Sequence, residues 1–202
     1  MRSLFFLILQ TWPGKLGIYF RSKFYSRVFG HEDFTIFENV YLNIAKGNVT
    51  GGKRLKVCPD VKLFATSGNL ILGENIFFNF GCFISADRST ITIGDNCSFG
   101  NNVTIWSSNH CFESKIQLII EQGYTAKKIE IGNDVWIGCN VTILPGAIIE
   151  DGCVLASGSA VLDRFTAYSV IGGGTSKIFE EKRRQSKVSF LIRDKPLMGS
   201  WD

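Results

Sequence analysis

From residue 72 onward an aliphatic or aromatic side chain recurs at every sixth position. The run is Leu72, Phe78, Ile84; Ile93, Phe99, Ile105; Ile131, Ile137, Ile143; Ile149, Leu155, Val161. A period of six is neither the 3.6 of a helix nor the plain alternation of a single strand, and it fits a short strand and a corner repeated many times. Four residues after the leads stand Ile76, Cys82, Cys97, Val103, Val135, Val141, Ala147, Cys153 and Ser159, small or apolar as a second inward position requires. Gly follows the lead at 73, 94, 100, 132 and 138, where the backbone must turn. Three six-residue units make an 18-residue coil of triangular section. Four such coils begin at 72, 93, 131 and 149 and stack into three parallel sheets. The predicted fold is therefore all-β, a parallel β-helix.

The interruptions carry as much information as the repeat. Between Ile84 and Ile93 the step is nine, so three residues near Arg88 to Thr90 are extra. Between Ile105 and Ile131 it is 26, so twenty are extra, and residues 110–128 are expected to protrude as a loop. Loops of that length in a regular fold are usually functional or disordered, and this one begins at a histidine. Upstream, Ile36, Leu42 and the segment Leu55 to Leu63 read as degenerate coils. The chain thus divides into a basic, partly apolar and helical N-terminal segment (1–30), the solenoid (31–176) and a short, charged, partly helical tail (177–202).

At 202 residues with 45% hydrophobic and 20% charged content, the chain can build one well-buried core. Its six cysteines form no CxxC pair, and no secretion signal places them in an oxidising compartment, so reduced thiols are expected. Three of them occupy inward positions and are expected to be core residues. The apolar run Leu4 to Leu9 is far shorter than the roughly 20 residues that span a bilayer. Residues 1–30 hold Arg2, Lys15, Arg21, Lys23 and Arg27 without one acid, so this segment carries +5 against a net charge of +4, and the rest of the chain sums to −1. That distribution argues against nucleic acid. It leaves two readings for the segment: a peripheral contact with the inner face of a membrane, or a helix packed on the end of the solenoid. The expected setting is cytoplasmic.

The repeat resembles the hexapeptide-repeat acyltransferases, in particular the branch of maltose, galactoside and surface-polysaccharide O-acetyltransferases. The resemblance covers about residues 70 to 179. Its most specific piece is IGNDVWIGCNVTILPGAIIEDGCVLASGSAV at 131–161, followed by GGGTSKIF; FNFGCFISAD at 78–87 and WSSNH at 106–110 are similar to active-site stretches of the family. The resemblance implies a left-handed β-helix, acetyl-CoA as co-substrate, no metal, and a homotrimer whose active sites lie between subunits. Two departures stand out, Leu162-Asp163 in place of the family's Thr-Lys and Thr175 in place of its terminal Pro.

Transfer from a thioester to a hydroxyl needs a base that works near neutral pH, and histidine fits. Of His31 and His110, the second stands at the mouth of the loop, where the resemblance implies the catalytic base. It also implies that Asn79 and Asp87 contact the acceptor; as plain residues they would cap a corner and fill a turn. Trp136, Cys139 and Ser157 are similar to residues lining the family's CoA channel, and Lys177, supplemented by Arg183, to the basic residues that meet a cofactor phosphate. A γ-class carbonic anhydrase shares the fold but needs three histidines on its metal, and the chain has two. The expected activity is O-acetylation of a sugar hydroxyl in a surface polysaccharide or its lipid-linked or nucleotide-linked precursor. Amino-sugar N-acetylation, antibiotic O-acetylation and a non-catalytic carbohydrate-binding solenoid stand as alternatives.

Overall fold

The computed structural model describes residues 8–31, 33–174 and 177–181. Residues 8–11 are helical and lead through Trp12-Pro13 into helix α1 (Gly14–Phe29). Six left-handed coils follow. The first three are β1 (Phe34–Ile36), β2 (Tyr41–Ile44) and β3 (Asn48–Gly51); β4 (Leu55–Val57), β5 (Lys62–Ala65) and β6 (Asn69–Leu72); β7 (Phe77–Phe78), β8 (Phe83–Ser85) and β9 (Thr90–Ile93). The fourth holds β10 (Ser98–Phe99), β11 (Thr104–Trp106), a ribbon of β12 (Ser108–His110) and β13 (Tyr124–Ala126), and β14 (Ile129–Ile131). The last two are β15 (Trp136–Ile137), β16 (Thr142–Ile143) and β17 (Ile148–Ile149), then β18 (Val154–Leu155), β19 (Ala160–Val161) and β20 (Arg164–Phe165). A hairpin of β21 (Ser169–Gly172) and β22 (Lys177–Glu181) closes the chain's described part.

Each coil gives one strand to each of three parallel sheets. In the first sheet Ile36, Val57, Phe78, Phe99, Ile137, Leu155 and Ile171 lie directly over one another. Leu42, Leu63, Ile84, Ile105, Ile143 and Val161 do the same in the second. All twelve repeat leads and all nine second inward positions are buried. The thiols of Cys82 and Cys97 are pushed up to about 11 by burial, as befits core side chains.

The first two coils differ from expectation. They are not degenerate: successive strands pair at a constant offset of 21 residues, as in Tyr41↔Lys62 and Lys62↔Phe83. The three extra residues near Arg88 are one instance of a wider corner between the second and third sheets, present in every coil up to the loop. Its strands are long enough to turn a further residue inward, so Ala65 and Ala86, Leu70 and Ile91 are buried beside the sixth-position leads. A six-residue search does not see those positions. The first residues of the tail, Lys177–Glu181, pair antiparallel with β21 and so join the first sheet.

The third sheet's inward column begins at Gly51, where a Cβ would lie 2.7 Å from the ring of Phe29. That glycine leaves room for α1 to cap the open end of the solenoid. Tyr25 is buried in the same core, with Phe24 and Phe29 packed against it. Arg21, fully buried, donates from Nε to the Ile36 carbonyl at 3.0 Å and from Nη1 to the carbonyls of Leu9 and Trp12 at 2.9 and 2.7 Å. Its Nη2 lies 4.0 Å from a Glu38 carboxylate oxygen. Arg21 therefore ties helix, preceding turn and first coil together.

Ile105→Ala should lower unfolding free energy by on the order of 3 kcal/mol through the cavity it leaves. Arg21→Ala should cost at least about 3 kcal/mol, because three carbonyls lose their donor and the cap loses its tie. Lys15→Ala should stay within about 0.5 kcal/mol. Denaturant unfolding of the three variants checks the ranking.

Candidate active site

The twenty-residue excursion leaves the solenoid at the corner between the second and third sheets. Its root is a two-stranded ribbon, with Ser108 opposite Ala126, Asn109 opposite Thr125 and His110 opposite Tyr124. The ladder resumes undisturbed at Ile129, which pairs with Ile91. His110 is thus on a strand, not on a free loop. Its imidazole is exposed and lies against Tyr124, with ring centroids 4.3 Å apart and the planes tilted by 38°. The Arg88 guanidinium lies over the same Tyr124 ring at 4.4 Å. Beyond the ribbon, Phe112, Ile116, Leu118, Ile119 and Ile120 are exposed, Ile116 completely.

Asp87 sits at the base of this arrangement. Its Oδ1 accepts from the hydroxyls of Ser67 at 2.6 Å and Thr66 at 3.0 Å, and its Oδ2 from Ser108 at 3.3 Å, with Arg88 Nε 3.4 Å away. Burial works to raise the Asp87 pKa, but the three hydroxyls and Arg88 together hold it below the ordinary carboxylate value. Trp106 Nε1 donates to the Ser108 hydroxyl, and the indole stacks flat on Phe83. Asp87, Arg88, Trp106, Ser108, Asn109, His110, Tyr124 and Leu144 line a cleft of about 460 Å³.

The two histidines differ sharply. His31 Nδ1 accepts the Asp33 N–H at 3.2 Å and Nε2 lies 3.1 Å from the Gly51 carbonyl, so the ring is spent on backbone. His110 faces the cleft. The carboxylate of Glu113, three residues on, accepts the N–H of Phe112 at 3.0 Å.

The remaining sequence-derived site residues lie elsewhere on the prism. Asn79 follows β7 at the corner between first and second sheets, with its Oδ1 accepting the Phe80 N–H at 3.0 Å. Cys139 and Ser157 stand at the same corner two and three coils on, where the Cys139 N–H donates to the Ser157 hydroxyl at 3.1 Å. Trp136 projects from the outer face of the first sheet and is 59% exposed, between Ser98 and Val154 in register. Lys177, also exposed, opens β22 on the far edge of that sheet. Arg183 lies outside the described residues. Trp136, Cys139, Ser157 and Lys177 therefore form one track, and the second sheet separates it from the His110 cleft. The structure brings Asp87 to His110 and leaves Asn79 with the track.

Sequence reasoning missed Arg88 and Tyr124 as neighbours of His110. Arg88 fell inside the three extra residues, which was a signal of place though not of role. Tyr124 gave none, because the pairing that seats it opposite His110 is antiparallel within an otherwise parallel fold. Among the described residues, no three His, Cys, Asp or Glu side chains are grouped to hold a metal ion.

Comparison with known proteins gives the class to which this stacked-coil prism belongs. Residues 128–163 match the family described as bacterial transferase hexapeptide (six repeats), and residues 90–107 match the hexapeptide repeat of succinyl-transferase. A probable macrolide acetyltransferase from Lysinibacillus sphaericus is 33% identical over 124 residues, 60% of this chain and 68% of that one. The galactoside O-acetyltransferase of Escherichia coli K12 is 33% identical over 138 residues, 68% of this chain and 66% of its own length, just under two thirds. A solved galactoside acetyltransferase in complex with coenzyme A is 26% identical with a TM-score of 0.62, covering 89% of this chain and 78% of that one. AntD, an N-acyltransferase from Bacillus cereus, shares the fold with a TM-score of 0.68 at 12% identity, over 81% of this chain and 89% of that one. The chain belongs to the hexapeptide-repeat acyltransferases.

Asp87→Ala should cost on the order of 2 kcal/mol near neutral pH, since three hydroxyls lose a charged acceptor. A depressed carboxylate pKa stabilises the fold above its unfolded value, and that contribution fades as pH falls through the folded one. The gap between parent and variant should therefore narrow below about pH 4, as melting curves across the acid range will report.

Proposed function

We propose that the protein is an acetyl-CoA-dependent O-acetyltransferase that acts on a sugar hydroxyl, with His110 as the general base. The observation that carries this reading is the exposed imidazole of His110, held on a strand of the ribbon at the edge of the cleft. In the reaction the imidazole takes the acceptor hydroxyl's proton as its oxygen attacks the thioester carbonyl. Collapse of the tetrahedral intermediate expels the CoA thiolate, and the imidazolium returns the proton to it. Asp87 and Asn79 serve the acceptor, Asp87 from the side of the base and Asn79 from the side of the cofactor. Trp136, Cys139 and Ser157 line the path of the pantetheine arm, and Lys177 and Arg183 meet cofactor phosphate as cations.

Within one chain the base and the cofactor track occupy opposite edges of the second sheet. A neighbouring copy closes that gap if its track faces this chain's cleft, and repetition of the contact closes a ring, here a homotrimer. The exposed apolar tip of the loop supports this assembly, because a run such as Leu118 to Ile120 is ordinarily covered. The acceptor is proposed to be a surface-polysaccharide sugar or its lipid- or nucleotide-linked precursor in the cytoplasm. Relatives described as macrolide and chloramphenicol acetyltransferases keep an antibiotic hydroxyl as the second reading. Amino-sugar N-acetylation uses the same base and is a third outcome of the assay.

Thiol release from acetyl-CoA, measured over free sugars, nucleotide sugars, oligosaccharides, amino sugars and antibiotics, identifies the acceptor. His110→Ala should lose roughly 100-fold or more of the acceptor-dependent rate. Equal rates in parent and variant would remove His110 as the base.

Shared sites make a second prediction. His110→Ala and Trp136→Ala, each impaired alone, should recover roughly a quarter of parental activity when their subunits are mixed equally, since that share of interfaces pairs two intact halves. No recovery after verified subunit exchange would place both halves of the site in one chain.

A further inference from the structure

The first half of helix α1 turns a charge inward and large apolar side chains outward, while Phe24, Tyr25 and Phe29 of its second half pack on the core. A helix lying on a protein core in water normally turns its apolar stripe inward and its charges outward. Here the inward stripe is Gly17, Arg21 and Tyr25, spaced four apart, and Arg21 is fully buried. Gly17 permits this approach, because a Cβ there would lie 1.9 Å from the Trp12 carbonyl oxygen and 2.9 Å from the Arg21 guanidinium. The opposite stripe carries Leu16, 62% exposed, Tyr19, 56% exposed, and Phe20, 45% exposed. Trp12 extends the stripe through its contact with Phe20, with centroids 5.9 Å apart, and Tyr19 lies against Phe20 at 5.4 Å. Ile8, on the preceding helical turn, is also exposed. The result is a contiguous aliphatic and aromatic patch on the face of the cap turned away from the solenoid.

The charges that α1 itself carries have one sign. Lys15, Lys23 and Arg27 belong to α1, and no acidic residue precedes Glu32 in the chain. Arg21 does not contribute to that surface, since carbonyls inside the cap take its donors. Tryptophan and tyrosine are favoured where hydrocarbon meets water, and lysine and arginine are drawn to anionic headgroups. Among the described residues no helix is long and apolar enough to cross a membrane, so the contact would be a lying one.

We infer that the outer face of the N-terminal cap, centred on Trp12, Leu16, Tyr19 and Phe20 and bordered by Lys15, Lys23 and Arg27, docks on an anionic lipid surface. A second copy of the chain fits less well, because two such faces would set cations against cations. The inference stands apart from the acetyl-transfer reaction and is tested without it. In the trimer proposed above, three caps would share one end of the assembly and engage one membrane plane together.

The test is flotation of the full-length protein with vesicles of phosphatidylcholine alone and of phosphatidylcholine with about 30% phosphatidylglycerol. The protein should float with the anionic vesicles, and about 0.5 M NaCl should release much of it. Leu16→Ser combined with Phe20→Ser should reduce the floated fraction by roughly tenfold, with melting temperature and solution mass unchanged, since both side chains face solvent. Lys15→Glu should weaken binding to the anionic vesicles alone. Failure of the parent protein to float with either vesicle would overturn the inference. So would flotation of the double variant equal to the parent's, and a fall in its solution mass would assign the patch to a second copy instead.

Discussion

Everything in this molecule depends on coils that cannot bury themselves. A coil of 18 or 21 residues encloses a core one side chain deep, and the upper and lower surfaces of that core are open until another coil covers them. The ladder from Ile36 to Ile171 meets this condition by placing like over like, so each inward residue is packed mainly by its own equivalents above and below. Coils at the two ends have no such neighbour and need other cover. At one end α1 supplies it, with Phe29 standing in for the side chain Gly51 lacks. At the other, β22 folds back on β21 and covers the edge of the first sheet.

This dependence explains where chemistry can be placed. The inward positions admit little variation, so function is confined to outward side chains and corners. An insertion is tolerated only where it leaves the ladder in register, and the 110–128 excursion does so by leaving and returning at one corner. Its base is then held by the prism through Ser108, whose hydroxyl joins Asp87, itself bonded to Thr66 and Ser67 one coil below. The imidazole of His110 is thereby tied to the stack, while the apolar side chains at the tip of the loop are exposed.

The cap shows the same economy in a different form. Closing the prism requires donors for the carbonyls of Leu9, Trp12 and Ile36, and one arginine reaches all three. With Gly17 and Arg21 turned inward for that task, the first half of α1 leaves Leu16, Tyr19 and Phe20 outside, while Phe24, Tyr25 and Phe29 pack on the core. Its unusual surface is thus a consequence of how the end of the solenoid is satisfied, and it is available for a role that a conventional amphipathic helix would not have.

The sequence by itself determined the solenoid, the rows of residues that face its axis, the place and length of the insertion and the histidine at its root. It could do so because a parallel stack repeats one environment many times, and each repetition writes the same apolar mark into the chain. The wider corner of the early coils was less legible, since four-residue strands bury residues at alternate positions that a period of six passes over. Only the tertiary structure decided that Tyr124 and Arg88 accompany His110, that Asp87 joins it while Asn79 lies with Trp136, Cys139 and Ser157, and that Arg21 is buried. Those facts arise from single contacts between segments far apart in the chain. A contact made once leaves no period for a sequence to show.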